Sequence, residues 1–214
     1  MPASCLLCNE ADHGLAICRS CLADLPWQAE NCCQQCGLTS NSPICGRCLK
    51  QPPAFAQTHA VFQYAYPMDA LIPHYKYHHA LHLSQTLGEL LAQKFINQAI
   101  DRLIPMPMHP YRIRERGFNQ SLELAKVVSK ITKIQVDAFS CLRFKHTPPQ
   151  ASLAHKDRIK NVKGVFACNA DFSGQHIALI DDVMTTGASL NELAKVIKKA
   201  GAIEVSCYVL ARTL

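Results

Sequence analysis

Apolar residues beyond residue 55 follow two periodic patterns that alternate along the chain. Short runs rich in β-branched and aromatic residues predict strands, and these runs are HAVFQYAYP, RLI, AFSCLRF, GVFACNA, HIALI and VSCYVLAR. Three longer stretches repeat apolar residues at helical spacing: LHLSQTLGELLAQKFINQ, SLELAKVVSKI and residues 191–199. Because strands alternate with helices, the sequence predicts an α/β domain with a largely parallel sheet flanked by helices.

The first 48 residues follow a different pattern, dominated by cysteine. Nine of the 12 cysteines lie there, and eight of them form four Cys-x-x-Cys turns, with Cys32 left over. Such a turn places two thiolates on one side of a loop, so two turns complete a tetrahedral site for Zn²⁺. The eight predicted ligands are Cys5, Cys8, Cys18, Cys21, Cys33, Cys36, Cys45 and Cys48.

The pairing of the four turns stays open at the level of sequence. Sequential pairing joins the first two turns and the last two, whereas a cross-brace interleaves them, and either one or two zinc ions would be bound. Residues 1–50 contain few large apolar side chains, so the metal is expected to supply the folding energy of this module. Pro52-Pro53 then leads into a second domain, predicted over residues 51–214.

Composition indicates the class of partner and the cellular compartment that we expect for the protein. The 214 residues are 49% hydrophobic with a net charge of +6, which suits a folded protein with an anionic partner. No run of about 18 apolar residues predicts a transmembrane helix, and the first residues lack the pattern of a secretory signal. We therefore expect a cytoplasmic protein, in which clustered cysteines favour metal over disulfides.

The segment IALIDDVMTTGASL, residues 177–190, carries the clearest candidate chemistry. A strand pattern ends in two carboxylates, and a turn of small hydroxylated residues leads into the last helix. Backbone N–H groups at a helix start attract phosphate, and Gly187 lets the backbone approach it closely. The two carboxylates would repel a bare anion, so they fit ribose hydroxyls or Mg²⁺ instead. An ordinary strand–helix junction, capped by its hydroxyl side chains, is the alternative.

This segment closely resembles the phosphoribosyl pyrophosphate (PRPP) loop of type I phosphoribosyltransferases. The resemblance implies a type I phosphoribosyltransferase-like fold and a site for PRPP with Mg²⁺. It assigns the ribose hydroxyls to the acidic pair and the 5′-phosphate to the turn from Thr185 to Ser189. The implied binding residues are Asp181, Asp182, Val183, Met184, Thr185, Thr186, Gly187, Ala188 and Ser189.

Further motifs extend the resemblance over nearly the whole chain. In order they are the cysteine turns, YKYHH, IPMPMHPYRIRERGFNQSLELA, KHTPPQASLAHKDRIKNV and LIDDVMTTGAS, and together they resemble the ComF family of competence-associated proteins. This resemblance implies a PRPP-binding protein that handles single-stranded DNA in the cytosol during natural transformation, with DNA-uptake proteins as further candidate partners. The alternative is an active phosphoribosyltransferase with an unidentified acceptor. Residues 183–185 lack the acidic side chain that purine transferases carry there.

Basic residues provide the second anion site that PRPP requires. The resemblance places the pyrophosphate loop just after the rigid segment IPMP, and its candidate residues are Met108, His109, Arg112 and Arg116. If that stretch is extended, Arg112, Arg114 and Arg116 project from one side. A second set of candidates for the hood loop and for DNA consists of Arg114, Lys156, Arg158 and Lys160. A solvated basic loop is the alternative for any one of these cations. Lys76 of YKYHH is expected to face the site.

Overall fold

A five-stranded parallel sheet forms the centre of the computed structural model, which describes residues 4–11, 16–77, 82–145 and 162–214. The strands lie in the order β1-β7-β6-β2-β3. Their bounds are Gln57–Gln63 (β1), Arg102–Pro105 (β2), Gln135–Val136 (β3), His176–Met184 (β6) and Glu204–Arg212 (β7). The predicted parallel sheet is therefore confirmed.

Seven helices lie within the described residues, two before β1 and five between the strands of the main sheet. They are Arg19–Ala23 (α1), Gly46–Lys50 (α2), Met68–Tyr77 (α3), His82–Ala92 (α4), Pro110–Arg116 (α5), Gln120–Thr132 (α6) and Ala188–Lys199 (α7), with a 3₁₀ turn at Gln93–Phe95. Helices α3, α4 and α6 pack on the sheet face that carries Ala178, Ile180 and Tyr208. Helix α7 packs on the opposite face, against Leu179 and Val209. The sheet is thus covered on both sides, as the apolar strand pattern predicts.

The order of the strands creates a topological switch between β2 and β6. From β2 the chain continues outward to β3, whereas from β6 it continues the other way to β7. Loops diverge at such a point and leave a crevice at the carboxyl ends of the strands, where open α/β sheets bind ligands. Here the loop after β2 and the loop after β6 border that crevice.

The two strands at the switch point differ in length. Pro105, the last residue of β2, pairs with Ile180, and the N–H of Met106 donates to the Ile180 carbonyl at 2.8 Å. Strand β6 continues beyond this point and pairs only with β7, with Asp181 opposite Val209 and Met184 opposite Arg212. The acidic pair therefore lies within β6, whereas the sequence pattern predicts it directly after the strand.

A small antiparallel sheet stands apart from the main one. It consists of β4 (Cys141–Arg143) and β5 (Phe166–Cys168), and Cys141 lies opposite Cys168. Cys141 and Cys207 are buried as expected of small apolar residues, whereas Cys168 is half-buried.

Helix α5 follows the IPMP segment, so the stretch that carries the three arginines is helical and not extended. Pro110 occupies its first turn, the ring Nδ1 of His109 accepts from the N–H of Tyr111 at 3.2 Å, and Gly117 ends the helix with φ +82°. Proline at the start and glycine just past the end are helix signals. The condition under which three arginines project from one side, an extended stretch, is therefore not met, because alternate residues lie about 200° apart on a helix.

Candidate functional site

The eight predicted zinc ligands form two separate clusters near the N-terminus. Within each cluster the four sulfur atoms lie within 4.8 Å of one another, and the members are Cys5, Cys8, Cys18 and Cys21, and then Cys33, Cys36, Cys45 and Cys48. The turns are therefore paired sequentially. Cys32 belongs to neither cluster; its thiol donates to the Ala29 carbonyl and accepts from the amide of Gln28.

The geometry of both clusters fits zinc. Sulfur atoms about 2.3 Å from a tetrahedral ion lie about 3.8 Å apart. The Cys8–Cys18 and Cys36–Cys45 sulfur pairs are separated by 3.8 and 3.7 Å. Four sulfurs at this spacing, without oxygen ligands, are the donor set that zinc prefers over harder cations.

Backbone N–H groups stabilise the thiolate form of one cysteine in each cluster. Burial raises the pKa of Cys5, but backbone donors, led by the N–H of Cys18 at 3.3 Å, outweigh it and lower that pKa to about 6. Cys33 has the same environment, with a donor from Cys45 at 3.3 Å and a pKa of about 6. Metal binding requires deprotonated sulfur, so one ligand in each cluster favours the form that binds zinc.

The two clusters contact different parts of the α/β domain. Around the first cluster, Ile17 and Leu25 join the core on the α3, α4 and α6 face, and Trp27 packs against Phe62 of β1 with ring centres 4.8 Å apart and ring planes tilted by 45°. The second cluster contacts Thr58 near the start of β1, and Arg212, the last residue of β7, donates to the Cys36 carbonyl. The second cluster therefore adjoins the turn after β6.

The turn after β6 leads directly into α7 through a glycine with positive φ. Gly187 precedes α7 with φ +76°, and a Cβ atom there would lie 2.6 Å from the methyl group of Met184. The Thr186 hydroxyl accepts from the N–H of Ala188 at 3.2 Å. The positive φ angle favours glycine at this position, whereas the Met184 methyl group lies at the end of a flexible side chain that can move aside.

The acidic pair is held by two side chains from other elements. Lys76 of α3 forms an ion pair with Asp182, with 3.0 Å between Nζ and Oδ2. The hydroxyl of Ser121, near the start of α6, donates to Oδ1 of Asp181 at 3.0 Å. Lys76 was expected to face the site, whereas Ser121 was missed. The carboxylates therefore have fixed positions at the border of the crevice.

Burial and neighbouring charges change the pKa values of Asp181 and Lys76. Burial, together with the neighbouring Asp182 carboxylate, raises the pKa of Asp181 to about 7, despite the opposing charge of Lys76. Burial alone would lower the pKa of Lys76, but Asp182 and Asp181 raise it above its usual value. Near neutral pH, Asp181 is therefore able to exist in either form.

Three arginines lie on α5, the helix that follows the loop after β2. On α5, Arg112 and Arg116 share one face, with Arg112 bonded to Glu115 at 3.0 Å and Arg116 to the Gln120 side chain at 3.3 Å. Arg114 is exposed on another face of the helix. Of the predicted pyrophosphate loop, Met108 lies in the connection after β2 and His109 caps α5.

Arg143 of β4 is a basic residue that sequence reasoning missed. Burial lowers its pKa, Asp181 raises it and Arg112 lowers it further, so these three charges lie near one another. Its guanidinium also lies 5.8 Å from the centre of the Phe166 ring. Two arginines near one carboxylate form a mixed-charge environment that an anionic ligand with hydroxyl groups would match.

The RGFNQ motif acts as the junction between α5 and α6. The side chain of Asn119 caps α6 by accepting from the N–H of Ser121, and its amide donates to the Met106 carbonyl at 3.1 Å. Gln120 is buried and donates to the Lys76 carbonyl at 3.3 Å. The motif thus ties the loop after β2 to the helix that carries Lys76. The predicted hood-loop residues Lys156, Arg158 and Lys160 lie outside the described residues.

The covered parallel sheet with a crevice at its switch point, preceded by two cysteine clusters, defines a phosphoribosyltransferase-type domain joined to a zinc module. The sequence agrees, because it matches the phosphoribosyl transferase domain over residues 90–214 and the double zinc ribbon domain over residues 1–52. The chain belongs to the ComF family, as its full-length relatives show.

Three relatives illustrate the match. The DNA utilization protein YhgH of Shigella flexneri is 34% identical over 191 residues, which cover 85% of this chain and 84% of that protein. Competence protein F of Haemophilus influenzae is 30% identical over 97% of this chain and 90% of its own length. Competence protein ComFC of Streptococcus pneumoniae is 25% identical, over 98% and 93% respectively. Within the described residues, every helix is too short or too polar to cross a bilayer.

Metal analysis of the purified protein should find two zinc equivalents per chain, one for each cluster. Cys8→Ser and Cys45→Ser should each remove one equivalent, because a structural zinc site requires all four sulfur ligands. Cys32→Ser is the matched control and should retain both. Zinc-free protein from a preparation without chelator would refute the assignment.

Asp181→Asn should stabilise the ligand-free protein, and more at pH 8 than at pH 5.5. The pKa of Asp181 is raised on folding to about 7. The folded wild type therefore loses stability as pH rises from about 4 through about 7, and asparagine has no charge to lose. Melting curves should show a gain of roughly 2–4 °C for each kcal/mol recovered in a domain of this size. A gain that does not grow with pH would contradict the raised pKa.

Proposed function

We propose that the crevice between β2 and β6 binds PRPP or a closely similar phosphosugar together with Mg²⁺. The observation that carries this proposal is the pair Asp181 and Asp182, held by Ser121 and Lys76 directly before a glycine-containing turn. Carboxylates in fixed positions suit ribose hydroxyls, which donate hydrogen bonds, and Mg²⁺, which prefers oxygen ligands. The backbone of the turn and the start of α7 suit a phosphate.

Two arginines near the β2 loop favour a pyrophosphate group as a second part of the proposed ligand. Arg112 lies on the helix that follows the β2 loop, and Arg143 lies near both Arg112 and Asp181. Guanidinium groups bind phosphate oxygens through two parallel hydrogen bonds. One ligand that places a phosphate on the turn, hydroxyls on the carboxylates and a pyrophosphate by the arginines would contact the turn, the acidic pair, Arg112 and Arg143.

We further propose that the protein handles single-stranded DNA, as the names of its competence and DNA-utilization relatives suggest. The chain carries a net charge of +6, and the exposed Tyr111 lies on α5 beside the arginines. Single-strand binders combine cations for the backbone with aromatic rings for stacking. The same helix offers both kinds of group, and the cytoplasm is the compartment in which incoming strands would be met.

An active phosphoribosyltransferase is the second candidate. The mixed charge around Arg143 favours it, because cations near a departing pyrophosphate assist transfer. Against it, Val183 and Met184 follow the acidic pair within the strand and offer no acid or base. Release of pyrophosphate from PRPP, with and without candidate acceptors, would distinguish the two functions.

PRPP with Mg²⁺ should bind the wild type, and the double variant Asp181→Asn, Asp182→Asn should bind it at least about tenfold more weakly. A hydrogen bond to a charged group contributes about 1.5–3 kcal/mol, and about 1.4 kcal/mol corresponds to a tenfold change in affinity. Calorimetry provides the measurement, with Asp171→Asn as a control on an exposed turn far from the crevice. Equal affinity in both proteins would remove the acidic pair from the ligand site.

Single-stranded DNA should bind without sequence preference and weaken steeply with salt. Replacing Arg112, Arg114 and Lys156 by alanine should reduce the slope of log K against log salt by about 0.7 for each DNA phosphate that the variant no longer neutralises. The control removes equal charge elsewhere, through alanine at Lys130, Lys195 and Lys199 on α6 and α7. If heparin competes equally well and both triple variants behave alike, binding reflects net charge only, and the transferase becomes the preferred function.

A further inference from the structure

Arg212, the last residue of β7, is a buried arginine between the turn after β6 and the second zinc ribbon, which holds the Cys33 cluster. The residue is 2% exposed, and its partners are backbone carbonyls together with the Thr213 hydroxyl. Burying a guanidinium is costly unless its donors are satisfied. Its position in the fold therefore depends on the groups that it joins.

The hydrogen bonds of Arg212 connect two functional elements. Nε donates to the Cys36 carbonyl at 2.7 Å, and Cys36 is a member of the second cluster. Nη1 donates to the Met184 carbonyl at 2.9 Å and also to the Thr185 carbonyl, both in the segment that forms the proposed phosphosugar loop. One side chain thus fixes a cluster residue and the start of that loop together.

Neighbouring contacts strengthen the same connection. The Thr58 hydroxyl donates to the Gln35 carbonyl at 2.7 Å and lies 3.7 Å from the Met184 sulfur. Gly37 packs closely on Thr58 and Arg212, and its φ of +70° disfavours any residue with a side chain. The residues between Cys33 and Leu38 therefore form a support beneath Met184, whose methyl group in turn lies beneath Gly187.

The first ribbon offers an internal comparison. Its backbone bonds to the domain run from Gln28 to Val61 and from Gln63 to Pro26, at the outer strand β1. Among the described residues, no hydrogen bond of the first-cluster cysteines, which are Cys5, Cys8, Cys18 and Cys21, reaches residues 184–189. The two ribbons have similar internal structure and different neighbours, so any link to the loop should belong to the second alone.

We propose that Arg212 is a positioning residue that couples zinc in the second ribbon to the shape of the phosphosugar loop, whereas the first ribbon has no such coupling. The inference rests on the proposed phosphosugar site for its ligand. Coupling between two binding sites is reciprocal, so zinc in the second ribbon raises phosphosugar affinity and the phosphosugar raises zinc affinity by the same factor.

The main experiment measures zinc affinity, by equilibrium competition with a coloured chelator, in full-length Cys8→Ser and Cys45→Ser proteins, which retain the second and the first site respectively. PRPP with Mg²⁺ should protect the zinc of Cys8→Ser by raising its affinity by a factor within the usual range of coupling, about 5- to 150-fold. The zinc affinity of Cys45→Ser should not change. Equal protection of both sites, or protection of neither by a ligand that binds, would overturn the proposal.

Variants of Arg212 test its part in the coupling. Arg212→Lys keeps the charge but removes the guanidinium fork, so it should retain both zincs and lose most of the ligand-dependent protection. Arg102→Lys is the matched control, since Arg102 pairs with Asp137 at 3.3 Å at the opposite end of the strands. Full protection in Arg212→Lys would assign the coupling elsewhere and contradict the role proposed for this residue.

A ligand-free measurement separates this inference from the proposed function. Amide hydrogen exchange over residues 184–189 should be faster in Cys45→Ser than in Cys8→Ser, because only the former weakens the support beneath the loop. If PRPP fails to bind the wild type, the proposed ligand is wrong, and this exchange comparison still tests the coupling. Equal exchange in the two variants would overturn it.

Discussion

The unequal length of two neighbouring parallel strands is the constraint on which the candidate site depends. Strand β2 ends opposite Ile180, while β6 continues to Met184 with only β7 beside it. The free edge of β6 faces the loop after β2 and carries the acidic pair in a regular backbone. Helices α3 and α6 pack on the same face of the sheet, and their side chains Lys76 and Ser121 hold Asp182 and Asp181 respectively.

The acidic pair of the candidate site lowers the stability of the fold. Two carboxylates on adjacent residues repel each other, and burial of Asp181 adds to the cost. Lys76 and Ser121 offset part of this cost, although neither removes the repulsion. Strain of this kind is typical of groups that are arranged for a ligand, since a bound cation or hydroxyl would satisfy them better than the protein does.

The part of the fold that follows local rules could be predicted from the sequence. The four cysteine turns indicated the metal clusters, and the apolar periods indicated the sheet and most helices. Only the structure determined which Cys-x-x-Cys turns pair, because their spacing alone allows two arrangements. Helix α5 was not identified because its side chains are mostly polar and exposed, although Pro110 and Gly117 carried a helix signal.

Residues that reach the site from distant parts of the chain could not be predicted in this way. Ser121 is 60 residues from Asp181, and Arg143 and Arg212 act through interactions set by tertiary packing. A serine near a helix start and an arginine at a strand end have no distinctive local pattern. The resemblance to known proteins located the loop, whereas the contacts around it depend on how α6, β4 and β7 pack.

The pairing of β1 with β7 has a consequence for the order in which the chain assembles. Each cysteine cluster closes within 17 residues, so both can form while synthesis is still under way. The edge strand β1 must wait, because its partner Ser206 lies 149 residues beyond Gln57. Until β7 emerges, β1 and the free side of β6 expose unpaired backbone. A ribosome that stalls before Glu204 would therefore hold a chain with folded metal modules and an open sheet.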